Sequence, residues 1–181
     1  GQRIKTIALC PGHGGKDPGN QIGGLQEKRY TLLLAKELQK LLSQSGFKVV
    51  LTRAADNYVG LEERSLLAKR KGADLYVSLH YNCANPGNHE TRGIEVYCLT
   101  PEGAESTNGG TSPSGGPSPG NRNNEKNVLL AYQVQKALVQ KLGMADRGVR
   151  RARFAVLRYV TMPAVLIEAG FMSAPQEMAR I

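Results

Sequence analysis

Apolar runs of strand length alternate with helical stretches along this 181-residue chain, and that alternation constrains the fold more than any single motif. IKTIALC (4–10), FKVVLT (47–52), LYVSLH (75–80), GIEVYCL (93–99), RFAVLR (153–158) and AVLIE (164–168) read as strands. Residues 27–45 carry Leu34, Leu38, Leu41 and Leu42 on one face of a 3.6-residue period, and Gly46 caps that helix. Residues 61–71, with Leu61, Leu66, Leu67 and Ala68, read as a second helix. A third spans 125–142, with Ala131, Val134, Leu138 and Leu142 aligned. Strands separated by helices predict one α/β domain over residues 1–181, its sheet twisted, mostly parallel (mixed), of about six strands between helices. The strands are apolar runs more than clean alternations, which suits burial on both faces.

From Pro101 to Asn124 this patterning stops. Twenty of those 24 residues are Gly, Pro, Ser, Thr or Asn, so the segment cannot fill a core and reads as a flexible loop inserted in the domain. No apolar run approaches the roughly 20 residues that span a bilayer, so no membrane span is expected. No signal peptide is legible, which says nothing about a precursor. Cys10, Cys83 and Cys98 make an odd number and allow at most one bridge. The net charge of +9 favours an anionic partner. Nucleic acid is not expected: Trp is absent and the basic residues are dispersed, except for Arg147, Arg150, Arg151 and Arg153.

Ligand and catalytic groups of open α/β sheets gather at the carboxyl ends of strands. His13 follows the first strand, His80 ends the third, Glu168 ends the last, and Glu27 opens the first helix after a Gly-rich turn. Two imidazoles and a carboxylate, with a fourth position left open, make the ligand set of a catalytic zinc site, and the other carboxylate is then a general base or acid. Glu27 at a helix start is expected to be held ionised by the helix dipole. Glu168, directly after AVLI, is costly to bury without a partner. Gly12, Gly14 and Gly15 leave room for metal and substrate. Phosphate-loop and dinucleotide fingerprints fail, because Cys10 and Asp17 stand where Gly or Ser/Thr is needed. Cys83, three residues after His80, is a minor candidate nucleophile or extra metal ligand, and His89 reads as surface. Arg64, Arg92, Arg150 and Arg158 are candidate partners for substrate carboxylates, and Glu95 is a further polar candidate beside the cleft.

The segments IALCPGHGGKDPG (7–19), Glu27 at its helix start, ADLYVSLHYN (73–82), RGIEVY (92–97) and MPAVLIEAGFMS (162–173) together resemble the zinc-dependent N-acetylmuramoyl-L-alanine amidases of the amidase type 3 family. The resemblance covers nearly the whole chain. It implies zinc (Zn2+) held by His13, Glu27 and His80, with Glu168 as the catalytic carboxylate. It implies hydrolysis of the amide joining the lactyl group of N-acetylmuramic acid to L-alanine in peptidoglycan. It further implies a six-stranded twisted sheet between helices and action outside the cytoplasm on the cell wall. Glu95, Arg92 and Arg158 are the expected substrate contacts, a monomer the expected state, and an activating protein an admissible partner. Three departures stand out: Cys83 where Ala is common, Ala174 where Asn is common, and an end at Ile181 where the family usually has a closing helix. The 101–124 loop has no helical pattern, so no inhibitory helix over the zinc is expected. The alternatives kept open are a zinc peptidase or deacylase on another amide, a wall-binding module without activity, and a Cys83-dependent hydrolase.

Overall fold

The computed structural model describes residues 3–107 and 116–181. Six strands form one sheet: β1 (Thr6–Pro11), β4 (Lys48–Leu51), β5 (Leu75–Asn82), β6 (Ile94–Leu99), β7 (Asp146–Ala152) and β8 (Ala164–Phe171). Their spatial order is β4-β1-β5-β8-β6-β7. All neighbouring pairs are parallel except β6 against β8. This is the mixed, mostly parallel sheet expected from the sequence. Two short strands, β2 (Gln21–Ile22) and β3 (Leu25–Gln26), form a separate hairpin. Its turn residues Gly23 and Gly24 both have positive φ, 53° and 79°, which two-residue hairpin turns of this kind demand.

Helices cover both faces. α1 (Glu27–Gln44) and α3 (Asn124–Leu142) lie on one, α2 (Leu61–Arg70) and α4 (Ala155–Tyr159) on the other. Strand β8 shows the division: Ala164 and Leu166 pack towards α2 and α4, while Val165 and Ile167 pack towards α1 and α3. The helix faces differ in detail from the leucine pattern. The deepest line of α1 is Glu27, Thr31 and Ala35, with Leu34 and Leu38 partly buried and Leu41 exposed. In α2 the buried residues are Arg64, Ser65 and Ala68, whereas Leu61 and Leu66 face outward.

One strand assignment is overturned. RFAVLR is not a strand: Ala155–Tyr159 forms α4, and the sixth strand is the charged segment Asp146–Ala152. A short apolar run fits a strand or a buried helical turn equally well. Here Val156, Leu157 and Val160 turn inward against the core. As the last strand of the sheet, β7 buries only Ala152 fully and so tolerates its arginines. Part of the 101–124 segment is also ordered more than its composition suggests. Pro119–Asn123 is a 3-10 turn, α3 begins at Asn124, and Arg153 binds the carbonyls of Pro101 and Ala104. The expected flexibility concerns in part residues 108–115, which lie outside the described residues.

The chain's last turn, α5 (Pro175–Met178), is tied to the sheet by one buried carboxylate. Glu177 accepts the backbone N–H of Gly93 at 3.0 Å and that of Phe171 at 2.9 Å. Glu177→Ala leaves two buried donors unpaired. It is expected to lower the unfolding free energy by about 2–3 kcal/mol in denaturant titrations, and a loss under about 1 kcal/mol would contradict this bonding scheme.

Candidate metal centre and catalytic groove

His13, Glu27 and His80 reach one point from a turn, a helix start and a strand. Each offers one ligand atom, and the three atoms all lie within 4.8 Å of one another. His13 Nε2 is 3.1 Å from Glu27 Oε1, and His80 Nδ1 is 3.2 Å from Glu27 Oε2. The imidazoles meet edge to face, with centroids 5.0 Å apart. Their far nitrogens are also held: His13 Nδ1 pairs with Asp17 Oδ2 at 2.8 Å, and His80 Nε2 with Ser78 Oγ at 3.1 Å. Such outer partners fix which nitrogen faces a metal. Two nitrogens and one carboxylate of this spacing suit a divalent transition metal of the zinc type.

Local backbone geometry creates the cradle. Between His80 and Asn82 the pairing of β5 with β8 slips. Beside that slip, the backbone N–H of Tyr81 donates to Glu27 Oε2 at 3.1 Å, and that of Asn20 donates to Glu27 Oε1 at 3.0 Å. Gly12 is required by space, because a Cβ there would sit 2.4 Å from the His80 ring. His13 itself has φ of 64°, a left-handed conformation uncommon for a residue with a Cβ. Arg64 compensates. It is 2% exposed and donates to the carbonyls of Val59, Pro11 and His13. Arg53 does the same for Pro11, Gly12 and Lys28. Arg64, which also lines the groove described below, is thus a scaffold of the His13 turn.

The charges follow from this packing. Burial works against ionised Glu27, but the hydrogen bonds from His13 and His80 outweigh it and hold the carboxyl well below the usual range. The imidazoles supply the stabilisation that the sequence assigned to the helix dipole. Burial disfavours protonated His13, yet Glu27 and Asp17 together raise its pKa. For His80 burial prevails over Glu27 and the pKa is lowered.

Glu168 lies beside His80 in register on β8. It is inside the strand, three residues before its end, because β8 runs on to Phe171. Its Oε2 is buried with no hydrogen-bond partner among the described residues. Burial first, then the charges of Glu27 and Glu95, push its carboxyl well above the usual carboxylate range. All four residues line one open groove of about 470 Å³, with Tyr58, Phe154 and Leu166 among its apolar walls.

The other candidates are placed differently. Glu95 is buried and faces Glu168 across the β6–β8 pair, bound to Arg147 and Arg150. Arg92 is exposed and donates to Gln176. Arg158 stands over the Tyr159 ring and lines a separate cavity with Arg153 and Thr100. Neither lines the groove. Cys83 is a free, half-buried thiol outside the groove lining, and Cys10 and Cys98 are free and buried. His89 is exposed, as read from the sequence. Sequence reasoning missed Asp17 and Ser78, although both stand at short fixed spacings from the histidines they hold.

Residues 7–181 match the sequence profile of the N-acetylmuramoyl-L-alanine amidase family. The chain belongs to that family. It is 34% identical to the N-acetylmuramoyl-L-alanine amidase AmiC of Neisseria meningitidis serogroup B, over 97% of this chain and 47% of that protein. Against the N-acetylmuramoyl-L-alanine amidase LytC of Bacillus subtilis the identity is also 34%, over 98% of this chain and 31% of the relative. The chain therefore spans half or less of the length of these curated relatives. The crystal structure of an N-acetylmuramoyl-L-alanine amidase from Clostridium difficile 630 superimposes with a TM-score of 0.80 at 32% identity, over 99% of this chain and 86% of that one. AmiC2 of Nostoc punctiforme gives the same score and identity, over 99% and 87%. The fold is thus shared over most of each of these amidase chains.

The His13–Asp17 pair gives this family member a pH signature when it is free of metal. His13 is raised above 6.5, so the stabilisation Asp17 gives it is present below that value and lost as pH rises through the elevated pKa. Denaturant unfolding of chelator-treated protein should show wild type more stable than Asp17→Asn near pH 6, with the gap closing towards pH 9. A gap that stays constant across the range would remove the ion pair from the account.

Proposed function

We propose that this chain is a zinc-dependent hydrolase that cleaves the amide between the lactyl group of N-acetylmuramic acid and L-alanine of the peptidoglycan stem peptide. The observation that carries the reading is the Oε2 of Glu168, buried and without a hydrogen-bond partner among the described residues, which shares a groove with the His13–Glu27–His80 cradle. An oxygen buried without a donor is costly unless a ligand or a proton meets it. Family membership supplies the bond; the groove supplies the groups.

His13, Glu27 and His80 would hold the zinc. When bound, zinc supplies a Lewis acid and makes water acidic enough to attack at neutral pH. The remaining work falls to the chain. Glu168 Oε2 accepts the water proton as oxygen adds to the amide carbon, then delivers it to the alanine nitrogen as the C–N bond breaks. Burial and the charges of Glu27 and Glu95 raise its pKa, which favours its holding the proton until the nitrogen takes it. Apolar Phe154, Val156 and Leu166 limit water at the reacting carbon. Asp17 and Ser78 hold the imidazoles in position.

Peptidoglycan lies outside the cytoplasm, so the chain acts there. Among the described residues no helix is long and apolar enough to cross a membrane.

Two variants separate the roles. Glu168→Gln should retain about one zinc per chain but lose about 10²–10⁴-fold in kcat. His80→Ala should lose zinc as well as activity. Elemental analysis and mass spectrometry of peptides released from purified peptidoglycan check both. Near-wild-type turnover by Glu168→Gln, or full zinc occupancy in His80→Ala, contradicts the assignment.

A further inference from the structure

Beyond Glu168 the sheet end carries a second charged cluster that the hydrolytic chemistry does not use. Glu95 is 4% exposed and stands opposite Glu168 in the β6–β8 pair. Its Oε2 accepts from Arg147 Nε at 3.0 Å and forms an ion pair with Arg150 Nε at 2.8 Å, both on β7. Its Oε1 accepts from Asn82 Nδ2 at 2.7 Å and from the Tyr97 hydroxyl at 3.3 Å. One carboxylate therefore anchors two guanidiniums and neutralises only one of their charges. Asp146 is turned away, bonded to Gln135 and the Gly148 amide.

The geometry of the arginines leaves their outer edges for a ligand. Both face Glu95 with Nε: Arg147 Nε donates to it, and Arg150 Nε pairs with it ionically while donating to the Arg147 carbonyl. Among the described residues, no acceptor takes the terminal Nη hydrogens of either. Each side chain is 28% exposed, and Arg147 is braced over the Phe171 ring at 5.0 Å. A guanidinium held at Nε and open at Nη is preset to bind a carboxylate. Strands β8, β6 and β7 are consecutive in the sheet, so these arginines lie about 10 Å from Glu168 at the usual strand spacing of about 4.8 Å. That distance is about three residues of extended peptide.

We propose that Arg147 and Arg150, anchored by Glu95, form a subsite for a free carboxylate on the second or third residue of the substrate's peptide. This rests on the amidase reading above. In that substrate the lactyl carboxyl is consumed by the amide, so the sugar to which it is attached is neutral and the peptide supplies the anion. The site gives β7 its function: an edge strand with few buried apolar residues carries the recognition of the chain leaving the cut. It also places the contact on Arg147 and Arg150, which stand beyond the Glu168 side of the groove, rather than on Arg92, bonded to Gln176, or Arg158, stacked over Tyr159.

The test uses zinc-loaded protein and soluble muramoyl-peptides that differ only in which carboxylate is converted to a neutral carboxamide. Wild type should cleave the form with the recognised carboxylate free at least fivefold more efficiently than its amidated partner, with the difference in KM rather than kcat. Arg147→Gln and Arg150→Gln should each bring that ratio towards one, while the other arginine keeps Glu95 paired and the fold intact. Equal efficiency of wild type on the free and every amidated form overturns the subsite while the amidase reading stands. A ratio that survives both substitutions overturns it too. If wild type cleaves neither form, the amidase reading fails. Equilibrium binding of the same ligands then decides the subsite alone, and equal affinity for the free and amidated forms overturns it.

Discussion

A buried carboxylate shared by two imidazoles is the interaction on which the site depends. Glu27 is 1% exposed, yet it is held ionised because both of its oxygens receive an imidazole and a backbone amide. Without those partners its charge would be too costly to bury. The arrangement joins the turn after β1, the first residue of α1 and the slipped pairing of β5 at one point. A divalent ion with three donors already gathered would replace imidazole–carboxylate contacts with metal–ligand contacts, so the cradle need not be built on binding.

Two buried guanidiniums stand behind that cradle. Arg53 and Arg64 bond mainly to backbone carbonyls of the 11–13 turn and its neighbours. Carbonyl oxygens crowded in a tight turn repel each other and need donors, and forked guanidiniums supply several each. The uncommon φ of His13 persists because its carbonyl is fixed in this way. The groove therefore has the His13–Glu27–His80 cradle at one end and beside it the buried Glu168 carboxyl, whose Oε2 has no hydrogen-bond partner among the described residues, and two strands beyond Glu168 lies a basic edge.

Much of this was legible in the residues, and the gaps have physical causes. Five of six strands and the three long helices show in apolar runs and periodicity, because burial on two faces leaves a sequence trace. β7 leaves none: an edge strand is paired on one side only, so DRGVRRA needs little apolar content. RFAVLR misleads for the opposite reason, since four apolar residues fill a core equally well as a helical turn. The Gly23–Gly24 turn between Ile22 and Leu25 was a readable hairpin signal. In α2 the leucines suggested the inner face, but Arg64 occupies it, because its backbone partners repay a burial that composition alone would forbid.

The sequence by itself determined the layered α/β plan and singled out His13, Glu27, His80 and Glu168, since strand ends, helix starts and a carboxylate behind an apolar run are local signals. Only the tertiary structure decided which nitrogen of each histidine faces inward, that Glu168 Oε2 meets no donor among the described residues, and that Glu95 joins Arg147 to Arg150. These depend on contacts between strands far apart in the chain, and no local pattern records a register or the slip within it.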